Sequence, residues 1–264
     1  MTNELQSELP ESNWWEPFYD DWAQLVLADQ SDAEVSKDVS KMEYVLQFAA
    51  NASVLDQCCG LGQHARELCR RGYRVVGIDQ SSAYIAHAKR VATEKGMSVS
   101  FYTADAMAYV ETEGVDAVVN WHSSFGYHNE DDHNLAMLKC GWKSLRPGGR
   151  MLLEFPNMIH LIKNFEATMK RELPGGITLT RRSWIDVQAG TLRQRWSYRR
   201  PPCSVSPNGL RQEHGSLLRV YLPDQLMRFM ERVGFVDVQT RSHSGEKLSI
   251  DDARCIVVGR RPEL

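Results

Sequence analysis

Three carboxylates and two glycines are spaced so that they could hold one small ligand. Asp56 precedes the run Gln57-Cys58-Cys59-Gly60-Leu61-Gly62, Asp79 lies 19 residues past Gly60, and Asp105 comes one strand later. Each carboxylate ends a short apolar stretch that reads as a buried strand. The glycine turn runs straight into a helical pattern, so backbone N–H groups gather at the positive end of a helix. In an open parallel sheet, ligands bind outside the carboxyl ends of the strands. The turn suits a ligand carboxylate, and Asp56 suits an ammonium group. Asp79 can accept from two ribose hydroxyls, and Asp105 from the exocyclic amine of adenine. A nucleoside carrying an amino acid has all four groups. Taken singly, each Asp reads as a helix or loop cap. Three at successive strand ends make that reading less attractive.

The elements that must position these residues alternate. Strands are expected at Val54–Asp56, Tyr73–Ile78, Ser98–Thr103, Val115–Val119 and Arg150–Phe155. Helices are expected at Gln63–Arg71, from Ser81 or Ser82 to Lys95, and from Asp131 to Leu145, with Gly72 and Gly96 as stops. Strands separated by helices mean βαβ units and a parallel sheet with right-handed crossovers. After Asn157 the pattern changes. A helix over His160–Lys170 leads into a hairpin, Ile177–Asp186 and Thr191–Arg200, turning at Ala189-Gly190. Pro207-Asn208-Gly209 makes a further turn before a strand at Gly215–Tyr221. A helix at Pro223–Val233 and strands at Phe235–Thr240 and Arg254–Gly259 resume the sheet.

At the other end, Trp14-Trp15-Glu16-Pro17-Phe18-Tyr19-Asp20-Asp21-Trp22 follows the capping residues Ser12 and Asn13, with Pro17 in the first turn. Its aromatics recur at helical spacing, as a core-packed helix or as a lid over a ligand. A second helix is expected over Glu34–Ala50, with Tyr44, Leu46 and Phe48 inward. The fold class is therefore α/β. A Rossmann-like, seven-stranded, mostly parallel sheet is sandwiched by helices, with an N-terminal helical lid and a small antiparallel insertion. The expected division is a lid at 1–50, a core at 51–160 and 222–264, and an insertion at 161–221.

With 264 residues the chain can bury a sizeable core. The formal net charge of −3 argues against a nucleic-acid partner. No apolar run approaches the roughly 20 residues of a membrane span. The polar, acidic N-terminus is unlike a secretory signal, so a cytoplasmic location is expected. The six cysteines form no C-x-x-C pair and are expected to be reduced and mostly buried.

The glycine run resembles the motif of class I S-adenosylmethionine-dependent methyltransferases, acidic-x-Gly-x-Gly-x-Gly, with Cys58 at the first glycine. Gly77-Ile78-Asp79-Gln80-Ser81 resembles the ribose motif of that family, and Ala104-Asp105-Ala106 its adenine motif. Leu145-Arg146-Pro147-Gly148-Gly149 resembles the turn before its fifth strand. The loop Ser123-Ser124-Phe125-Gly126-Tyr127, and Ser216 to Pro223, are similar to bacterial small-molecule members, some of which methylate nitrogen and others oxygen or carbon. The resemblance implies S-adenosylmethionine as cofactor and a small-molecule acceptor, most readily at nitrogen or oxygen. A homo-oligomer is left open. Gly60-x-Gly62-x-x-Ala65 also satisfies a loose NAD pattern, so an NAD-dependent oxidoreductase is the second alternative. Asp56 would then place negative charge just before a turn meant for pyrophosphate. A non-catalytic S-adenosylmethionine-binding protein is the third alternative.

On this reading the cofactor is held by Tyr19, Asp56, Gly60, Gly62, Asp79, Gln80, Asp105, Ala106 and Asn120. The acceptor is held by Trp15, His122, Phe125, Tyr127, Asn157, His214, Arg219 and Tyr221. His122 is the candidate base, because histidine titrates near neutral pH. Tyr19 is the second catalytic candidate, its aromatic face near a cation. His122, His128, Asp131, Asp132 and His133 could suggest a metal. The two aspartates begin a helix, where acidic residues need none, and the spacing fits no zinc pattern. No metal is expected. Arg181, Arg182, Arg193, Arg195, Arg199 and Arg200 read as solvent-facing strand positions, or as a rim attracting an acidic acceptor.

Overall fold

The computed structural model describes residues 13–21, 30–47, 49–122, 124–173, 176–202 and 209–263. Trp22, Phe48, Ser123, Cys203 and the Pro207-Asn208 turn, all singled out in the sequence, lie outside the described residues.

A seven-stranded sheet carries the glycine turn. Its strands are β1 (Ser53–Gln57), β2 (Arg74–Asp79), β3 (Val99–Thr103), β4 (Val115–Asn120), β5 (Leu145–Pro156), β10 (Val236–Ser242) and β11 (Arg254–Arg260). The order is β10-β11-β5-β4-β1-β2-β3. Pairing is parallel from β5 to β3, while β11 runs antiparallel to both β5 and β10. The order reverses at β1, so the ends of β1 and β4 open a crevice there. β1 is buried along its whole length. That explains why Val54 and Leu55 read as a continuous apolar run rather than an alternating one.

Helices pack on both faces: α2 (Asp32–Leu46), α3 (Gln63–Arg70), α4 (Ser82–Glu94), α5 (Asp131–Ser144) and α7 (Pro223–Val233), with α1 (Trp15–Asp21) before them. Ser31 caps α2 in a reciprocal box with Glu34, so the helix starts earlier than its apolar pattern suggested. It ends at Leu46 because Gln47 adopts a left-handed conformation, φ 53°. Leu46 faces inward as expected. Tyr44 does not, and is 62% exposed.

The second sheet is antiparallel: β6 (Thr168–Leu173), β7 (Ile177–Asp186), β8 (Thr191–Arg200) and β9 (Leu210–Arg219), in that order. Here the expectation of a helix over His160–Lys170 fails. The helix, α6, spans only Met158–Lys163, and residues from Thr168 onward pair with β7. The segment holds helix formers without clear alternation, yet ladder pairing decides its state. Within β5, the Arg146-to-Gly149 stretch forms an irregularity between the pairs Val115–Leu145 and Ala117–Arg150.

Candidate active site

A cavity of about 390 Å³ opens at the carboxyl ends of β1, β2, β3 and β4. The glycine turn forms its floor, and the two glycines do different work. Gly60 has φ +53° and nothing within 4 Å of an added Cβ, so a side chain there would enter ligand space. Gly62 has φ +71° and caps α3. A Cβ there would meet the Phe101 ring at 2.7 Å, so Gly62 sets the packing of turn on sheet and does not line the cavity. Cys58 stands in the left-handed region too, φ 63°, at the first glycine position of the motif. A side chain tolerates that conformation at a cost of about 1–2 kcal/mol.

The three carboxylates converge as the spacing predicts; all three line the cavity. Asp79 accepts from the Gly60 N–H at 2.9 Å and from the Ser81 N–H at 3.0 Å, one on each oxygen. It thereby locks the turn to the end of β2 and keeps further lone pairs for a ligand. The turn N–H groups of Cys59, Gly60 and Gly62 all have partners within the protein, so Gly60 contributes space rather than a donor. Asp105 accepts from the Met107 N–H at 2.8 Å. Asp56 is buried, and its Oδ2 makes no hydrogen bond. Burial pushes its pKa up to about 6, with His64 opposing and the Asp79 charge adding.

The helix α1 covers this floor. Trp14, Trp15 and Phe18 are buried against Leu217 of β9. The Trp15 indole N–H donates to Gln80 Oε1 at 2.8 Å, next in sequence to Asp79. The hydroxyls of Tyr19 and Tyr127 are hydrogen-bonded to each other. Burial raises the Tyr19 pKa to about 12, so the phenol stays protonated at neutral pH and serves as a donor rather than a base. Trp15, Tyr19, Gln80, Ala106, His122 and Tyr127 all line the cavity.

His122 stands on the wall after β4, its side chain 41% exposed toward the opening. Its backbone N–H donates to the buried Glu154 at 2.9 Å. Desolvation, and next the neighbouring His64, lower its pKa to about 4, so the ring is neutral at pH 7.

Other assigned residues lie elsewhere. Asn120 is fully buried and reaches Gln57 at 3.4 Å, bracing β4 on β1. Phe125 is fully buried in the core. Asn157 caps α6 and donates to Ser249 and Asp252 carbonyls at 3.0 and 2.9 Å. Tyr221 is buried, donates to Asp131 at 2.6 Å and accepts from Asn134 at 2.9 Å. Arg219 reaches Asp131 at 3.4 Å. His214 lies on β9, its ring 6.3 Å from Phe18. None of these six lines the cavity. Motif adjacency marked them, but a loop or strand carries inward and outward residues alike. Nor do any of the six insertion arginines line it; Arg171 on β6 does, and no sequence pattern singled it out. Gln30, His64 and Trp121 line it as well. Of the histidines and aspartates first considered for a metal, His122 stands apart from the rest. Its neighbours are Asp38 and His64.

Residues 54–149 match the family described as a methyltransferase domain. A crystal structure of an S-adenosylmethionine-dependent methyltransferase from Clostridium acetobutylicum superposes with a TM-score of 0.76 at 13% identity. It covers 95% of this chain and 100% of that one. An amino pentose methyltransferase from Micromonospora echinaspora, solved with S-adenosylmethionine bound, gives a TM-score of 0.68 at 18% identity over 90% and 95% of the two chains. Demethylmenaquinone methyltransferase from Thermus thermophilus is 38% identical over 107 residues, 39% of this chain. The chain spans about half, 47%, of the length of that curated relative. Residues 54–149 thus match a methyltransferase domain, and the chain shares the fold of these solved methyltransferases. Among the described residues, no helix is long and apolar enough to cross a membrane.

Proposed function

We infer that the protein transfers a methyl group from S-adenosylmethionine to a small-molecule acceptor, at nitrogen or oxygen. The observation that carries this reading is the convergence of Asp56, Asp79 and Asp105 around Gly60 on one cavity, roofed by Trp15 and Tyr19. The residues fit the cofactor. The orphaned Oδ2 of Asp56 is the buried acceptor that a ligand ammonium would satisfy. The bare Cα of Gly60 leaves room for the adjoining chain.

S-adenosylmethionine, when bound, supplies a methyl group activated by its sulfonium. The chain's own residues then hold, align and dry the reactants. Asp79 takes the ribose hydroxyls, and Asp105 and Ala106 frame the adenine. Tyr19 and Tyr127 present aromatic faces and a hydroxyl pair where positive charge is held, a contact worth about 0.5–2 kcal/mol. The helix α1 excludes water and fixes the line of approach. His122, neutral at pH 7, offers a ring nitrogen that orients a hydroxyl or amine acceptor, and the proton the acceptor loses passes to water. The amino pentose substrate class named for the Micromonospora neighbour supports a polar acceptor of comparable size.

Calorimetry with S-adenosylmethionine and with its demethylated product tests the cofactor. Both should bind, and no heat with either at millimolar concentration sinks the reading. Release of the demethylated product from a library of small amines and hydroxylated compounds then identifies the acceptor.

A further inference from the structure

Asp38, His64 and His122 come from three elements: the inward face of α2, the first turn of α3 and the loop after β4. Each brings one donor atom to a common point. Asp38 Oδ2 lies 3.5 Å from His64 Nε2 and 3.8 Å from His122 Nε2, and all three atoms fall within 4.8 Å of one another. Ligand atoms about 2 Å from a shared ion stand about 3–4 Å apart, and both distances from Asp38 Oδ2 fall in that range. The state of the His64 nitrogen adds to that geometry. His64 is 9% exposed, and its Nε2 is buried without a hydrogen bond, although it points at the cluster. A buried nitrogen left unsatisfied is costly.

The surroundings prepare the carboxylate. Lys41 Nζ sits 3.0 Å from Asp38 Oδ1, the far oxygen, and 3.1 Å from His243 Nδ1. That leaves Oδ2 for the cluster. The Gln30 amide lies 3.2 Å from Asp38 Oδ2 and 3.5 Å from His122 Nε2. Turned over, it would present its oxygen as a fourth donor. The nearby Glu154 is already committed to Arg254.

We propose that Asp38, His64 and His122 form a binding site for a divalent first-row transition-metal ion in the wall of the cavity. Two imidazoles and one carboxylate select zinc, iron(II) or cobalt(II) over magnesium or calcium. His64 and His122 line the cavity while Asp38 lies behind them, so open coordination positions face the acceptor space. An ion there would hold an acceptor through oxygen or nitrogen. His122 then acts as a ligand, and the acceptor proton passes to water.

Metal binding does not depend on methyl transfer. The full chain is therefore titrated without S-adenosylmethionine, and the two readings fail separately. After chelator stripping, the protein is titrated with Co²⁺, followed by its visible absorption, and then with Zn²⁺ in competition. One equivalent of each should bind. His64→Ala and His122→Ala should each weaken binding by about tenfold or more. His133→Ala, which removes an exposed histidine outside the cluster, should leave it unchanged. Circular dichroism checks that each variant is folded, and the outward-facing ring of His122 makes that variant the safest. The proposal is overturned if the wild type takes up no stoichiometric Co²⁺ or Zn²⁺. It is equally overturned if folded His122→Ala binds as tightly as the wild type, because the ion then sits elsewhere.

Discussion

Asp79 ties two structures together, since it both holds the Gly60 N–H and faces the cavity. Asp79→Ala is expected to weaken S-adenosylmethionine binding by about 1.5–3 kcal/mol, the worth of a hydrogen bond to a charged group. Unchanged affinity by calorimetry would displace the ribose from this position. Asp56 supplies a pH signature. Its folded pKa of about 6 stands above the ordinary carboxylate value of 3.8. Between those values the folded chain holds a proton that the unfolded chain releases. The stability contributed by this group is full below about pH 4 and falls as pH rises toward 6. Ligand binding runs the other way, because an ammonium needs the ionised carboxylate. Affinity should fall as pH drops below about 6, by at most about tenfold per unit. Asp56→Asn should bind weakly with no such slope, measured with a chelator present; a parallel slope in both proteins would release Asp56 from this role. These carboxylates were legible because strand ends and glycine spacing are written locally. Asp38 and His64 were not legible as a pair. The one hint was an Asp within the apolar stripe Val35, Val39, Met42 of α2, and His64 gave no hint of its own.

At the scale of elements, parallel strands and their helices were readable because burial on both faces leaves continuous apolar runs bounded by capping residues. The α6–β6 segment was not. Its local preference is helical, and only pairing with β7 makes it a strand. Asn157, expected among the acceptor-holding residues, shows the same limit. Its side chain instead starts α6, accepting from the Ile159 N–H at 3.2 Å, and clamps the 249–252 turn. Asn157→Ala should therefore destabilise the fold by about 2 kcal/mol, from the lost cap and carbonyl contacts. Urea denaturation would show a lower midpoint with the slope retained. Cofactor affinity should stay as it is. A normal midpoint with a raised acceptor KM would return Asn157 to the acceptor site.

Across the whole molecule the two sheets divide the labour. The seven-stranded sheet supplies all three strand-end carboxylates, while the antiparallel sheet meets it near Gly126, whose carbonyl accepts from the Arg219 N–H at 2.8 Å. Within β6–β9, Arg171 is the described residue that reaches the cavity. On the proposed function, a cation from the second sheet would meet an electron-rich acceptor rather than the positively charged donor. Arg171→Ala should raise KM for a turned-over acceptor by about tenfold or more, the equivalent of one charge-assisted hydrogen bond. The dissociation constant for S-adenosylmethionine should not move. Arg171→Lys should recover part of the loss if charge alone matters, and little if the planar fork is used. Steady-state kinetics beside calorimetry separates the cases. A variant that loses cofactor and acceptor binding together would place Arg171 in the cofactor half, and the division between the sheets would not hold.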